Sequence, residues 1–146
     1  MTKENLDIVV RNLLEIYPPL IKKINTGDYM QQFNLSPNLN HILFTLKYHD
    51  KLSLSQLSNR LFMNRSNCSR SVDNLVEMGY IERRSDPEDK RKTLLALSKI
   101  GEKIVENIRK EIQEEIKIHL AELSEKDINT LKNASEQIHE VLSKLN

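Results

Sequence analysis

The sequence predicts a mainly α-helical protein with one small β-hairpin, and three observations carry that prediction. Glycine and proline are scarce, three and four in 146 residues, which favours helices over a β-sandwich. Apolar residues recur at spacings of three and four through most of the chain, from Leu6 to Leu145. The exception is residues 80–97, where two short β-prone runs flank the turn chemistry Ser85-Asp86-Pro87-Glu88-Asp89-Lys90.

Residues 3 to about 33 read as helical. Leu6, Val9, Val10, Leu13, Leu14, Tyr17, Leu20, Ile21 and Ile24 form a wide apolar stripe. Pro18-Pro19 interrupts it, and the missing donors and restricted geometry predict a kink or a break there. Ser36 is the natural N-cap of the next helix, with Pro37 at its first position and Leu39, Ile42, Leu43 and Leu46 inward. Asp50-Lys51 turns the chain. Ser53 and Gln56 then make a capping box, and Leu54, Leu57 and Leu61 share a face.

A break at Phe62-Met63-Asn64 separates this helix from a second one capped by Asn64, with Cys68, Val72, Leu75 and Val76 inward and Gly79 at its end. Strands are expected at residues 80–84 and 91–97. Ser98 begins a long helix in which Ile100, Ile104, Ile108, Ile112, Ile116 and Leu120 recur every fourth residue, with Val105 beside them. They read as one straight ridge of about five turns, roughly 30 Å. Ser124-x-x-Asp127 is a second capping box, opening a last helix with Ile128, Leu131, Ile138, Val141, Leu142 and Leu145.

Two short helices, a turn and a hairpin in succession are a helix-turn-helix with a wing. The outer face of the second helix presents Arg65, Ser66, Asn67, Ser69, Arg70 and Asp73. From Arg60 to Val72 there are three arginines and no carboxylate, whereas a solvated face normally mixes both signs. Guanidinium, hydroxyl and amide groups reach base edges and phosphates in a major groove. On the helix alone, an ordinary polar surface explains the pattern equally well. The hairpin moves the balance, because Arg83, Arg84, Lys90, Arg91 and Lys92 flank its tip and a narrow groove of negative potential attracts such a tip.

These residues resemble the MarR-type winged-helix transcription regulators. Asp89-x-Arg91 followed by Leu97-Ser98-x-x-Gly101 is similar to that family's wing signature, with Ser98 where threonine is commoner. Asn64 to Arg70, then Val72, Leu75, Gly79, Ile81 and Arg83, follow its recognition-helix pattern. The close match spans about fifty residues. The resemblance implies a winged helix-turn-helix domain with terminal helices forming a dimerisation domain, and a homodimeric, ligand-responsive repressor of double-stranded DNA. It also implies a small aromatic or anionic effector in a crevice between the dimer helices and the winged helix. Tyr17, Tyr29, His41, Phe44 and Tyr48 are the candidates for lining it, although core packing is the stronger explanation of such a row. The proline pair departs from the family's single continuous first helix.

The organisation expected is residues 1–35 as an N-terminal dimerisation helix, 36–98 as the DNA-binding domain and 99–146 as C-terminal dimerisation helices. One winged helix cannot bury both terminal stripes, which favours a dimer over an intramolecular core. The expected DNA contacts are Asn64, Arg65, Ser66, Asn67, Ser69 and Arg70 on the helix, and Arg83, Arg84, Asp89, Lys90, Arg91 and Lys92 on the wing. Asp89 would orient the wing by hydrogen bonds, since a carboxylate repels phosphate.

Net charge is only +1, but it is unevenly spread: residues 53–93 carry net +2 and residues 111–146 net −4. No run is long and apolar enough to span a membrane and no signal peptide opens the chain, so a cytoplasmic protein is expected. The single cysteine, Cys68, faces inward and reads as an inert small hydrophobe rather than a redox sensor. His41, His49, His119 and His139 are scattered, and no ligand set or catalytic motif forms around them. No metal, cofactor or enzymatic activity is therefore expected. The other function class compatible with the sequence is a winged-helix protein-interaction module without specific DNA binding.

Overall fold

Each helix of the central segment starts where a side chain can satisfy its free amides. The structure is a computed structural model that describes residues 3–23 and 31–145, with the side chains of 4–16 and 31–145. Helix α1 spans Lys3–Lys23. Helix α2 (Pro37–His49) is capped by Ser36, whose hydroxyl accepts from the Leu39 amide at 3.4 Å. Helix α3 (Leu54–Arg60) carries the expected capping box: the Gln56 amide donates to Ser53 Oγ at 3.2 Å and the Ser53 amide to Gln56 Oε1 at 2.9 Å. Helix α4 (Arg65–Glu77) is capped by Asn64, which accepts from the Ser66 amide at 2.8 Å.

Helix α4 ends in a Schellman motif. The Tyr80 amide donates to the Leu75 carbonyl and the Gly79 amide to the Val76 carbonyl, both at 2.9 Å, with Gly79 at φ +75°. Strands β2 (Ile81–Ser85) and β3 (Thr93–Leu97) form the wing, antiparallel, with Ile81 opposite Leu97 and Ser85 opposite Thr93. A strand that the sequence reading missed, β1 (Leu52–Ser53), pairs with β3 through Leu52 and Leu95, so the sheet order is β1-β3-β2. Central β3 therefore buries Leu95, Ala96 and Leu97 in succession instead of alternating. Helices α5 (Lys99–Leu120) and α6 (Glu125–Leu142) follow, and a single 3₁₀ turn, Ser143–Leu145, comes after α6.

The chain divides into two compact units, residues 1–24 with 113–146, and residues 25–112. The second is the winged helix. Its core is Leu39, Ile42, Leu43 and Leu46 from α2, Leu57 from α3, Cys68, Val72 and Leu75 from α4, and Ile81, Leu95 and Leu97 from the sheet. Val105 and Ile108 of α5 complete it, each 1% exposed. The boundary therefore falls later than residue 98, because the first three turns of α5 are needed to close this core.

In the terminal unit every described side chain of α1, residues 4–16, is exposed, and so is every residue of α6. Leu6, Val9, Val10, Leu13 and Leu14 are 38–69% exposed, and Ile128, Leu131, Ile138, Val141 and Leu142 are 36–59% exposed. Tyr17, Leu20, Ile21 and Ile24, which continue the expected stripe, lie outside the described side chains.

Three local expectations are corrected. Helix α1 runs without interruption across Pro18-Pro19, so there is no break. The two carbonyls that lose their donors belong to Leu14 and Glu15, both exposed, where water can serve them. The isoleucines of α5 are not one straight ridge. A spacing of four overshoots a full turn by about 40° per step, so the row winds round the axis. Ile108 is buried and Ile104 and Ile112 pack on the core, whereas Ile100 is 57% exposed. At α6 the Asp127 amide does donate to Ser124 Oγ, at 3.1 Å, but the reciprocal bond differs: the Ser124 hydroxyl donates to the Asp127 carboxylate at 2.6 Å. Asp127 is one methylene shorter than the glutamate of a full box.

The join between wing and α5 is made by Ser98. Its buried hydroxyl donates to the Gly79 carbonyl at 2.5 Å and accepts from the Gly101 amide at 3.0 Å, while the Ser98 amide donates to the Tyr80 carbonyl at 3.0 Å. A Cβ at Gly101 would collide with that same Tyr80 carbonyl. Removing the hydroxyl leaves a buried acceptor and donor unpaired, so Ser98→Ala should lower unfolding free energy by about 1–3 kcal/mol, and Ser98→Thr should not. Urea titrations of the two variants check this, and equal midpoints for alanine and threonine would refute the role of the hydroxyl.

Candidate nucleic-acid interface

The exposed face of α4 exists because its other face is fully committed to the core. Cys68, Val72 and Leu75 are at most 1% exposed, which turns Arg65, Ser66, Asn67 and Arg70 outward. Ser69 is half-buried. Burial pushes the Cys68 thiol up from its ordinary value, which keeps it protonated and unreactive.

The three arginines of the carboxylate-free stretch are held differently. Arg60 donates to His49 Nε2 at 3.4 Å. Arg70 donates to Asn67 Oδ1 at 2.6 Å, an i, i+3 pair on the helix surface. Arg65 has no ion pair among the described residues and stands at the first turn of α4. None of the three is buried or neutralised by a carboxylate, so the arc keeps its charge.

Asp73, at the far end of the same face, has a different role. Its carboxylate is ion-paired with Arg83 of β2. That pair ties the recognition helix to the wing from outside, as the Ser98 hydroxyl does from inside.

The wing tip is built by two aspartates. Asp86 Oδ1 accepts from the Glu88 amide at 2.9 Å, and Asp89 Oδ1 accepts from the Arg91 amide at 3.1 Å, each an Asx turn. Backbone bonds from Asp86 to the Lys92 carbonyl, 3.0 Å, and from Lys92 to the Asp89 carbonyl, 2.8 Å, close the loop. Asp89 also receives the Arg91 guanidinium, Nε to Oδ1, at 3.1 Å, while the Arg91 side chain remains 92% exposed. Arg84 is paired with Glu82 at 2.8 Å. Lys90 and Lys92 are exposed and have no ion pair among the described residues. Of the five basic residues expected at the wing, three are thus held by carboxylates and two are unpaired.

The sequence-derived site residues therefore fall into two groups on one domain: Asn64 to Arg70 on α4, and Arg83 to Lys92 on the wing. The effector candidates are not brought together in the same way. Phe44 packs on the core, whereas His41 is exposed and Tyr48 is 72% exposed. Tyr29 and the side chain of Tyr17 lie outside the described residues. Among the described residues no group of His, Cys, Asp and Glu is placed to hold a metal ion, and no helix is long and apolar enough to cross a membrane.

Residues 35–93 match the family model described as MarR family. This segment, which is most of the winged helix, is thus similar to the MarR family. An HTH-type transcriptional regulator of Bacillus subtilis, YdgJ, is 35% identical over 83 residues, which is 56% of this chain and 51% of that protein. The match thus spans about half the length of each. The fold is also that of transcriptional regulator Tm0710 from Thermotoga maritima, with a TM-score of 0.75 at 19% identity over 97% of this chain and 96% of that one. A mutant of S. aureus MepR bound to an oligodeoxyribonucleotide is similar over 100% of this chain and 99% of its own, with a TM-score of 0.66 at 21% identity.

Within this winged helix, sequence reasoning missed two structural parts: the hydroxyl of Ser98 as the joint of the wing, and the Asp73–Arg83 tie. The Leu97-Ser98-x-x-Gly101 motif signalled the first. Nothing in the sequence pairs residues ten apart across a helix end and a strand.

The Arg91 guanidinium, and after it the Arg91 amide, hold the Asp89 carboxyl below the ordinary aspartate range. Because the folded value is depressed, this contribution to wing order is present above the unfolded pKa and is lost as pH falls through the folded one. A carboxyl NMR titration should give Asp89 a midpoint below that of a free aspartate, moving upward in Arg91→Ala. A midpoint at the ordinary value would mean that the pair is not formed in solution.

Proposed function

We propose that this chain is a transcriptional regulator that binds double-stranded DNA sequence-specifically as a homodimer, each α4 entering a major groove and each wing reaching the flanking minor groove. The observation that carries the reading is the uncompensated face of α4 from Asn64 to Ser71, fixed beside a basic tip by Ser98 and Arg83. A protein with net charge +1 gains little from nonspecific attraction, so local placement of donors has to supply the binding. The match of residues 35–93 to the MarR family model and the oligonucleotide-bound MepR mutant support the same reading.

The twofold assembly is supported by α1 and α6. Both are amphipathic, and within one chain neither buries a described side chain. A second copy supplies the missing cover, and its symmetry calls for a pseudo-palindromic operator with half-sites about 34–36 Å apart. Repression in the cytoplasm, with release by a small aromatic or anionic effector, completes the proposal and rests on the family resemblance alone. The competing class, a protein-interaction module, predicts weak binding that ignores sequence.

Two measurements test the reading. Sedimentation should give twice the 17.1 kDa chain mass, and Leu13→Asp with Val141→Asp should reduce it to one chain. A wild-type monomer at micromolar concentration would remove the twofold operator. Anisotropy titrations on a duplex selected from random DNA should show Arg91→Ala weakening all sequences and flattening the salt slope by about one unit. Arg70→Ala should cost about 1–3 kcal/mol on the selected duplex if it reads a base edge, and an equal loss on random DNA would assign it to the backbone.

A further inference from the structure

Phe62 is the residue that the fold explains least. It sits in the turn between α3 and α4, and its ring is 96% exposed. Its backbone is left-handed, at φ +51°. The cause is a second Schellman motif: the Met63 amide donates to the Ser58 carbonyl at 2.9 Å and the Phe62 amide to the Asn59 carbonyl at 3.2 Å. The equivalent position after α4 is occupied by Gly79, which takes the same conformation without strain. At the first turn the chain instead carries a bulky aromatic, which strains the backbone and buries nothing in return.

The ring borders an open cleft of about 520 Å³ on the outer flank of α4. Asn38, from the first turn of α2, lines it together with Asn64, Asn67, Arg70 and Asn74. No carboxylate lines it. Amide and guanidinium donors without a negative charge suit an anion, and an aromatic face beside them suits the apolar side of a sugar.

We propose that this cleft seats the sugar–phosphate strand bordering the major groove, with Phe62 packed on a deoxyribose and the asparagines and Arg70 turned to its phosphate. The inference rests on the DNA-binding reading above and adds to it a backbone contact made by an apolar ring. An apolar contact releases no counterion, so it strengthens binding without steepening the salt dependence. It also carries no sequence information, unlike the Phe–thymine methyl contact that a ring in the groove would make.

The experiment compares wild type, Phe62→Gly, Phe62→Asn and Arg70→Ala on a selected duplex and on a scrambled one, at several salt concentrations. Both Phe62 variants should lose roughly fivefold in affinity, the return for half-burying one ring, equally on both duplexes and with the salt slope unchanged. Glycine and asparagine both suit the left-handed position, so neither variant should melt below wild type. Unaltered affinity would overturn the proposal. A loss confined to the selected duplex would also overturn it, because the ring would then be reading a base. If wild type binds neither duplex, the function reading fails, and this cleft with it. If wild type and Arg70→Ala behave as DNA binders while Phe62→Gly equals wild type, only the cleft fails.

Discussion

One residue, Ser98, joins the three parts of the winged helix that must hold their relative positions. Ser98 Oγ lies 2.5 Å from the carbonyl that ends α4 and 3.0 Å from an amide in the first turn of α5, while its own amide secures the foot of β2. Gly101 permits this because any side chain there would strike the Tyr80 carbonyl. Satisfying both groups internally is worth more than its bond count suggests, since each would otherwise be buried without water. The helix end, the wing and the first turn of α5 are consequently held together. The two-groove binding proposed above would use that join, because the spacing of helix and wing is then set before a partner is met.

Three acidic residues of this domain each hold an arginine. Asp73 holds Arg83, Glu82 holds Arg84, and Asp89 holds Arg91. All three pairs are on the surface, where an ion pair contributes little to stability. Their effect is geometric: each fixes where a guanidinium sits and leaves other donor hydrogens available. The arginines of α4 have no such partners, and Arg70 is oriented by an amide instead of a carboxylate. A near-neutral chain thereby keeps a locally cationic surface, which is the distribution that the segment charges of the sequence suggested.

Most of the winged helix was legible because its signals are local. Ser36, Ser53, Asn64 and Gly79 mark helix ends within three residues of the groups they satisfy, and the inward residues of α2, α3 and α4 follow a period that needs no tertiary knowledge. What was not legible depends on distance or on small angles. A two-residue strand such as β1 has no period to detect, and it exists because Leu52 finds Leu95 over forty residues away. The isoleucines of α5 looked like a ridge because a spacing of four approximates a turn, yet the residual rotation accumulates and leaves Ile100 outside. At Pro18-Pro19 local chemistry predicted an interruption, but an exposed helix can lose two donors and remain a helix when water serves the abandoned carbonyls. Phe62 could be placed in a turn from sequence, but its full exposure and strained backbone appear only in three dimensions.

The terminal helices raise the remaining physical question, which is why a chain would carry two amphipathic helices whose described side chains are all exposed. Amphipathic helices gain most of their stability from packing and little from propensity. Helix α6 has a well-formed cap at Ser124 and ion pairing along its surface, as in Lys132 with Glu136 at 4.0 Å, yet such features contribute only tenths of a kcal/mol each. They cannot by themselves hold 18 residues in order. Covering the apolar stripes would supply the missing stabilisation, and in the proposed homodimer an identical chain offers complementary stripes at no cost in additional sequence. In the proposed homodimer, covering them would also join two winged helices, and the second would then find its half-site at the effective concentration set by the first. The association proposed to stabilise the terminal helices would then also let a modest individual contact surface suffice for tight binding.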